Sequence, residues 1–289
     1  MDENEKFPIS SPRKLKDWIK NVAKKNNIAT NTVLQYYMME RFLERVSLSN
    51  YRDNFILKGG FLIAAVVGID MRSTMDIDTT IKGLPVSQEE IEKIIKEILN
   101  ISLNDNVNFG MVSIKHIHEL GEYEDFRIGI IATFFAMKVN LKLDITTGDI
   151  IIPKEVEYSF KLMFEDRNIQ IKAYNLNTIL AEKVESILVR NVANTRARDF
   201  YDVYIILTTR PYDIDKSELL KAIEQKAKER GTEEVFVNHQ KFLQDIAESR
   251  DLRAIWDSYT VKYSYADGIK YDDIVNILKT IFELNEHEI

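Results

Sequence analysis

The chain has 289 residues, 45% of them apolar, and a formal net charge of −7. That is enough apolar material for one large domain or two ordinary ones, and the acidic balance argues against broad electrostatic binding of nucleic acid. With no cysteine, disulfides, thiolate zinc sites and cysteine nucleophiles are excluded; the four histidines are scattered, so carboxylates must carry any metal chemistry.

No apolar run approaches the roughly 20 residues that cross a bilayer, and residues 1–6 are charged with no signal-peptide core behind them. The sequence therefore predicts a cytoplasmic protein with no membrane partner. A basic segment follows, in which Arg13, Lys14, Lys16, Lys20, Lys24 and Lys25 face one acid, Asp17. A solvated helix face is the ordinary reading of such a run, and RNA contact is the alternative.

Leu15, Trp18, Ile19 and Val22 recur at helical spacing, as do Val33, Leu34, Tyr37, Met38 and Phe42, so two helices open the protein. Residues 55–57 then form a short extended run, Gly59-Gly60 breaks it, and residues 61–67 are apolar enough for a buried helix. In residues 75–81, Asp76, Asp78 and Thr80 alternate with Ile77, Thr79 and Ile81, which places both aspartates on one face of a strand.

Ser87 and Glu90 resemble a capping box ahead of a helix with Ile91, Ile94, Ile95, Ile98 and Leu99 on one face. Three extended segments are expected around 111–117, 126–135 and 138–146, and Asp144 falls on the polar face of the last. His116 and His118, with Glu119 and Glu122 nearby, make no metal pattern. From residue 177 onward amphipathic runs predominate, with a break at 230–232, and the late tyrosines Tyr259, Tyr263, Tyr265 and Tyr271 read as packing residues more readily than as base-stacking ones. The expected class is α/β (α+β): residues 1–175 form a mixed sheet with flanking helices, and residues 176–289 a helical bundle.

Two carboxylates at i and i+2 of a strand, joined by a third from a neighbouring strand, can hold a pair of divalent ions. Asp76, Asp78 and Asp144 have that layout. Such a cage could bind a triphosphate, activate a hydroxyl and neutralise leaving pyrophosphate. The Gly59-Gly60 turn lets backbone N–H groups approach phosphate at a helix N-terminus, with Ser73 and Thr74 as hydroxyl donors.

The segment Leu57-Lys58-Gly59-Gly60 followed by Arg72-Ser73-Thr74-Met75-Asp76-Ile77-Asp78 resembles the first motif of the AbiEii nucleotidyltransferase-like toxins, within the DNA polymerase β-like superfamily. Leu180-Ala181-Glu182-Lys183-Val184 with Arg190, and Arg198-Asp199-Phe200-Tyr201-Asp202, resemble two later blocks of that family, and residues 36–45 also fit. One departure is Phe61, which stands where many members carry Thr or Ser after Gly-Gly.

The resemblance implies catalysis by Asp76, Asp78, Asp144 and Lys183. It implies nucleotide contacts from Lys58, Gly59, Gly60, Arg72, Ser73, Thr74, Lys183, Arg190, Asp199 and Asp202, and Mg2+ or Mn2+ on the three carboxylates. Without the resemblance, Lys183, Arg190, Asp199 and Asp202 read as an interhelical salt-bridge network. The implied activity is that of the toxin of a type IV toxin–antitoxin pair linked to abortive phage infection. It would transfer a nucleotidyl group from a nucleoside triphosphate such as GTP to an RNA acceptor, preferably the 3′ end of tRNA. The antitoxin would be a transcriptional repressor that need not touch it. Modification of a protein hydroxyl and nucleotide binding without turnover are the alternatives.

Overall fold

In the computed structural model, residues 9, 11–84, 87–117 and 125–283 are described. They form two compact units, one built from residues up to Asp149 with Glu155–Ala173, the other from Ile150–Lys154 with residues from Tyr174 onward. Residues 1–6, His118, Glu119 and Glu122 lie outside the described residues.

The first unit opens with α1 (Pro12–Asn26) and α2 (Thr30–Leu48). Ser11 caps α1 by accepting the Lys14 N–H, Pro12 fits the first turn, and Asn27 ends the helix in the left-handed region. Only one face of α1 is buried (Leu15, Ile19, Ala23), whereas α2 is buried almost all round from Val33 to Val46 and packs against the sheet.

Four charged residues of α2 are buried with it, which requires internal partners. Arg41 ion-pairs with Glu40 at 2.8 Å, Glu44 at 2.9 Å and Glu165 at 2.7 Å. Arg45 forks onto Asp105 at 2.8 and 3.0 Å and donates to the Val107 carbonyl. Burial pushes the Glu40 carboxyl up to about 7, against the opposing pull of the Arg41 charge and the Met163 N–H.

The sheet has seven strands: β1 (Phe55–Lys58), β2 (Asp76–Ile81), β3 (Val107–Ile117), β4 (Asp125–Phe134), β5 (Met137–Thr147), β6 (Val156–Lys161) and β7 (Asn168–Ala173). Helix α3 (Gly59–Val67) follows β1 directly, and α4 (Gln88–Leu99) carries the chain from β2 to β3, capped by Ser87. The spatial order is β3-β4-β5-β2-β1-β7-β6, with β2/β5 and β1/β7 parallel and the other neighbours antiparallel. This is the expected mixed sheet with flanking helices.

Two strands, β6 and β7, go beyond the sequence reading, which placed no strand between Thr146 and Asn177. β7 alternates buried Ile169, Ile171 and Ala173 with Asn168, Gln170 and Lys172, and it pairs with β1 inside the sheet rather than at an edge. β3 starts at Val107, earlier than expected, because a bulge between Met111 and Ser113 breaks its alternation.

The second unit is helical: α5 (Leu176–Arg190), α6 (Ala197–Thr209), α7 (Lys216–Arg230), α8 (Glu233–Val237), α9 (His239–Glu248), α10 (Arg250–Lys262) and α11 (Tyr271–Phe282). Asn175 caps α5 and Asp215 caps α7, and Gly231 closes α7 at φ +65°, which accounts for the break expected at 230–232. Trp256, Tyr259, Tyr263 and Tyr265 pack against one another and Tyr201, while the Tyr271 hydroxyl donates to the Ile246 carbonyl at 2.7 Å.

Candidate active site

The alternation of β2 buries Ile77 and leaves Asp76 and Asp78 on the opposite, half-exposed face. In the parallel β2/β5 ladder Asp78 lies opposite Asp144 and Asp76 opposite Lys142. Register extends this in both directions, since Lys58 on β1 lies opposite Asp78 and Arg127 on β4 lies opposite Asp144. Four strands thus present Lys58, Asp78, Asp144 and Arg127 in a single rung, with Asp76 and Lys142 one pleat away on the same face. The three expected aspartates therefore lie on one face of two adjacent strands.

Like charges directly across a ladder repel, so this rung needs compensation. Arg127 forks onto Asp144, Nε to Oδ1 and Nη2 to Oδ2, both at 2.9 Å. The Lys142 ammonium lies 2.9 Å from Asp76 Oδ2 and 3.8 Å from Asp144 Oδ2. Sequence reasoning missed both cations. The spacing of Lys142 and Asp144 put them on one strand face, but the pairing of Arg127 with Asp144 is a matter of register between strands, which the sequence does not state.

The Gly-Gly turn abuts Asp78. Gly59 sits at φ +65°, and a Cβ there would fall 2.2 Å from Asp78 Oδ2. The Gly60 N–H, at the start of α3, points to the same carboxylate oxygen at 3.4 Å. A Cβ on Gly60 would fall 2.8 Å from Arg72 Nη2 and 3.0 Å from Thr74 Oγ1. Arg72 and Thr74, both expected at nucleotide, are buried behind the turn, where Arg72 donates to the Ser73 carbonyl. Lys58 donates to Asp149 Oδ2 at 2.6 Å, and that oxygen also accepts from Thr146.

In the second unit Lys183 bridges α5 to α6, 2.5 Å from Asp199 and 3.2 Å from the fully buried Asp202. Arg190 is exposed at the end of α5, its Nε 3.3 Å from Ser186 Oγ. His116 packs on the Phe126 ring.

Asp76, Asp78 and Asp144 offer the hard oxygen donors that Mg2+ and Mn2+ prefer, and they share one face. Among the described residues no three acidic or histidine side chains are gathered at ligating distance, and Lys142 and Arg127 occupy oxygens of Asp76 and Asp144. The donor set fits such a metal once those contacts exchange.

Aspartates from adjacent strands thus stand beside a glycine turn and a helix start, the layout expected of a nucleotidyltransferase. The chain belongs to the AbiEii family, described as nucleotidyl transferase AbiEii toxin, type IV TA system, whose model matches residues 41–276. Membership makes it a nucleotidyltransferase toxin with a nucleoside triphosphate substrate and an antitoxin partner. Among solved structures, JHP933 from Helicobacter pylori is similar at 13% identity, covering 88% of this chain and 92% of that one, with a TM-score of 0.49. An antigenic nucleotidyltransferase-like protein from Paracoccidioides brasiliensis is similar at 12% identity, covering 76% and 96%, with a TM-score of 0.40. No curated protein matches the chain. Among the described residues no helix is long and apolar enough to cross a membrane.

Proposed function

We propose that this toxin transfers a nucleotidyl group to the 3′ end of tRNA and so blocks translation during abortive phage infection. The observation that carries the catalytic part is the register that sets Asp78 beside Asp144 with Asp76 one pleat away. The acceptor hydroxyl oxygen bonds to the α-phosphorus and the bond from that phosphorus to its bridging oxygen breaks. Pyrophosphate leaves with the electron pair, and the hydroxyl proton passes to solvent.

Asp76, Asp78 and Asp144 would hold Mg2+ or Mn2+, which when bound supplies Lewis acidity to the phosphates and lowers the pKa of the attacking hydroxyl. The chain's own groups position: Gly59 and Gly60 keep Asp78 against the start of α3, and Lys58 stands next in the rung as a point charge for phosphate. The tRNA assignment is supported by α1, whose exposed Arg13, Lys16, Lys20, Lys24 and Lys25 form a local basic face on an acidic chain.

The test is incubation with labelled nucleoside triphosphates, total tRNA and cell extract, with and without chelator. A labelled tRNA band that disappears with chelator and in Asp76→Ala is the expected result. Label on protein instead would move the acceptor to a protein hydroxyl, and nucleotide binding with no labelled product would leave a binding module.

A further inference from the structure

The two cations on the acidic face are placed to compete with metal. Arg127 occupies both oxygens of Asp144, and Lys142 spans Asp76 and Asp144. Each comes from the strand position directly opposite its principal partner, so the pairing is set by the ladder and not by chance rotamers. Both side chains are long and part-exposed, Arg127 at 46% and Lys142 at 35%, so they can leave the carboxylates without any change of backbone.

We propose that Lys142 and Arg127 are tethered counter-cations that shield the acidic site in the free protein and move to the triphosphate when nucleotide binds, which makes metal and nucleotide binding cooperative. This rests on the assignment of Asp76, Asp78 and Asp144 above. The physical course has two sides. A divalent ion alone must displace a bidentate guanidinium and an ammonium, and it then faces two displaced cations a few ångströms away. A triphosphate gives those cations a new anionic partner, and guanidinium fits phosphate in the same forked manner as carboxylate. Each ligand therefore removes part of the cost of the other, and the coupling is reciprocal.

The experiment measures Mn2+ binding to the full chain by calorimetry, with and without a non-hydrolysable nucleoside triphosphate analogue. The wild type is compared with Lys142→Met, Arg127→Met and Lys138→Met. Lys138 lies on the same face of β5 as Lys142, two pleats away, and controls for simple loss of positive charge. In the wild type the analogue should tighten Mn2+ binding by about tenfold or more. Lys142→Met and Arg127→Met should each bind Mn2+ alone several-fold more tightly, bind analogue more weakly and lose most of the coupling, while Lys138→Met behaves as wild type. Unchanged Mn2+ affinity in both variants, or an equal gain in Lys138→Met, overturns the proposal while leaving the catalytic aspartates in place. Mn2+ binding that survives Asp144→Asn and Asp76→Asn would instead remove the site assignment and the proposal together.

Discussion

Asp78 and Asp144 are direct neighbours across the parallel strands β2 and β5, two like charges at one level of a ladder. Opposed like charges in a sheet cost stability. Asp78→Asn should therefore abolish transfer while leaving the melting temperature in chelator unchanged or slightly higher. A marked drop in melting temperature would show that Asp78 serves the fold more than the chemistry.

Gly59→Ala tests the turn. At φ +65°, with Asp78 Oδ2 2.2 Å from the new Cβ, the substitution must shift the carboxylate or the backbone. We expect a loss of transfer of about a hundredfold, the scale of a one-ångström misplacement, and a stability loss of about 1 kcal/mol or more. Near-normal turnover would mean that the Asp78 position is not critical.

Lys183 holds two aspartates, one of them fully buried. Lys183→Met leaves Asp202 without this partner and should destabilise by about 3–5 kcal/mol, the scale of a broken buried pair. Adding Asp202→Asn should recover part of that stability. If nucleotide affinity, measured by calorimetry, stays reduced in the double variant, Lys183 also serves the triphosphate; if it recovers too, the α5–α6 bridge is its whole role.

Glu40 gives a pH dependence. Its carboxyl is pushed by burial up to about 7, above the ordinary value of 4.5. A carboxyl raised in the folded state contributes stability that is fully present below about pH 4.5 and lost as pH rises through about 7. Chemical denaturation between pH 5 and 8 should show stability falling in that window, with the slope reduced in Glu40→Gln. An equal slope in the variant would assign the dependence to another group.

The basic face of α1 is tested by reversing Lys16, Lys20 and Lys24 to Glu. Labelling of tRNA and its salt sensitivity should both decrease while binding of nucleotide analogue is unchanged, since phosphate contacts supply affinity without chemistry. Equal RNA affinity across a salt titration would place the acceptor elsewhere.

The parts of the site legible in the sequence are those with a local period. Asp76 and Asp78 stand two apart on a strand whose apolar residues alternate with them, and Asp144 falls on the polar side of an equally regular strand. β7 has the same period in Ile169, Ile171 and Ala173, yet the sequence reading placed no strand there. Arg127 and Lys142 were hidden for a different reason. Their partners lie on other strands, and register depends on how β4, β5 and β2 line up, which no spacing within one strand records. The burial of Arg41 was equally closed to periodicity, since its partner Glu165 lies 124 residues away.

The position of β7 has a consequence for when this enzyme becomes an enzyme. β1, which ends at Lys58 and feeds the glycine turn, is flanked by β2 on one side and by β7 on the other. The buried charges of α2 likewise need Glu165 and the Met163 N–H from the β6–β7 connection. A growing chain has made all three proposed catalytic aspartates by residue 144 yet still lacks the strand that seats β1 and the acid that completes the ion pairs of Arg41. The proposed catalytic face is thus written early and assembled late, so a ribosome-bound fragment that stops short of β7 carries the three aspartates without the strand that seats β1.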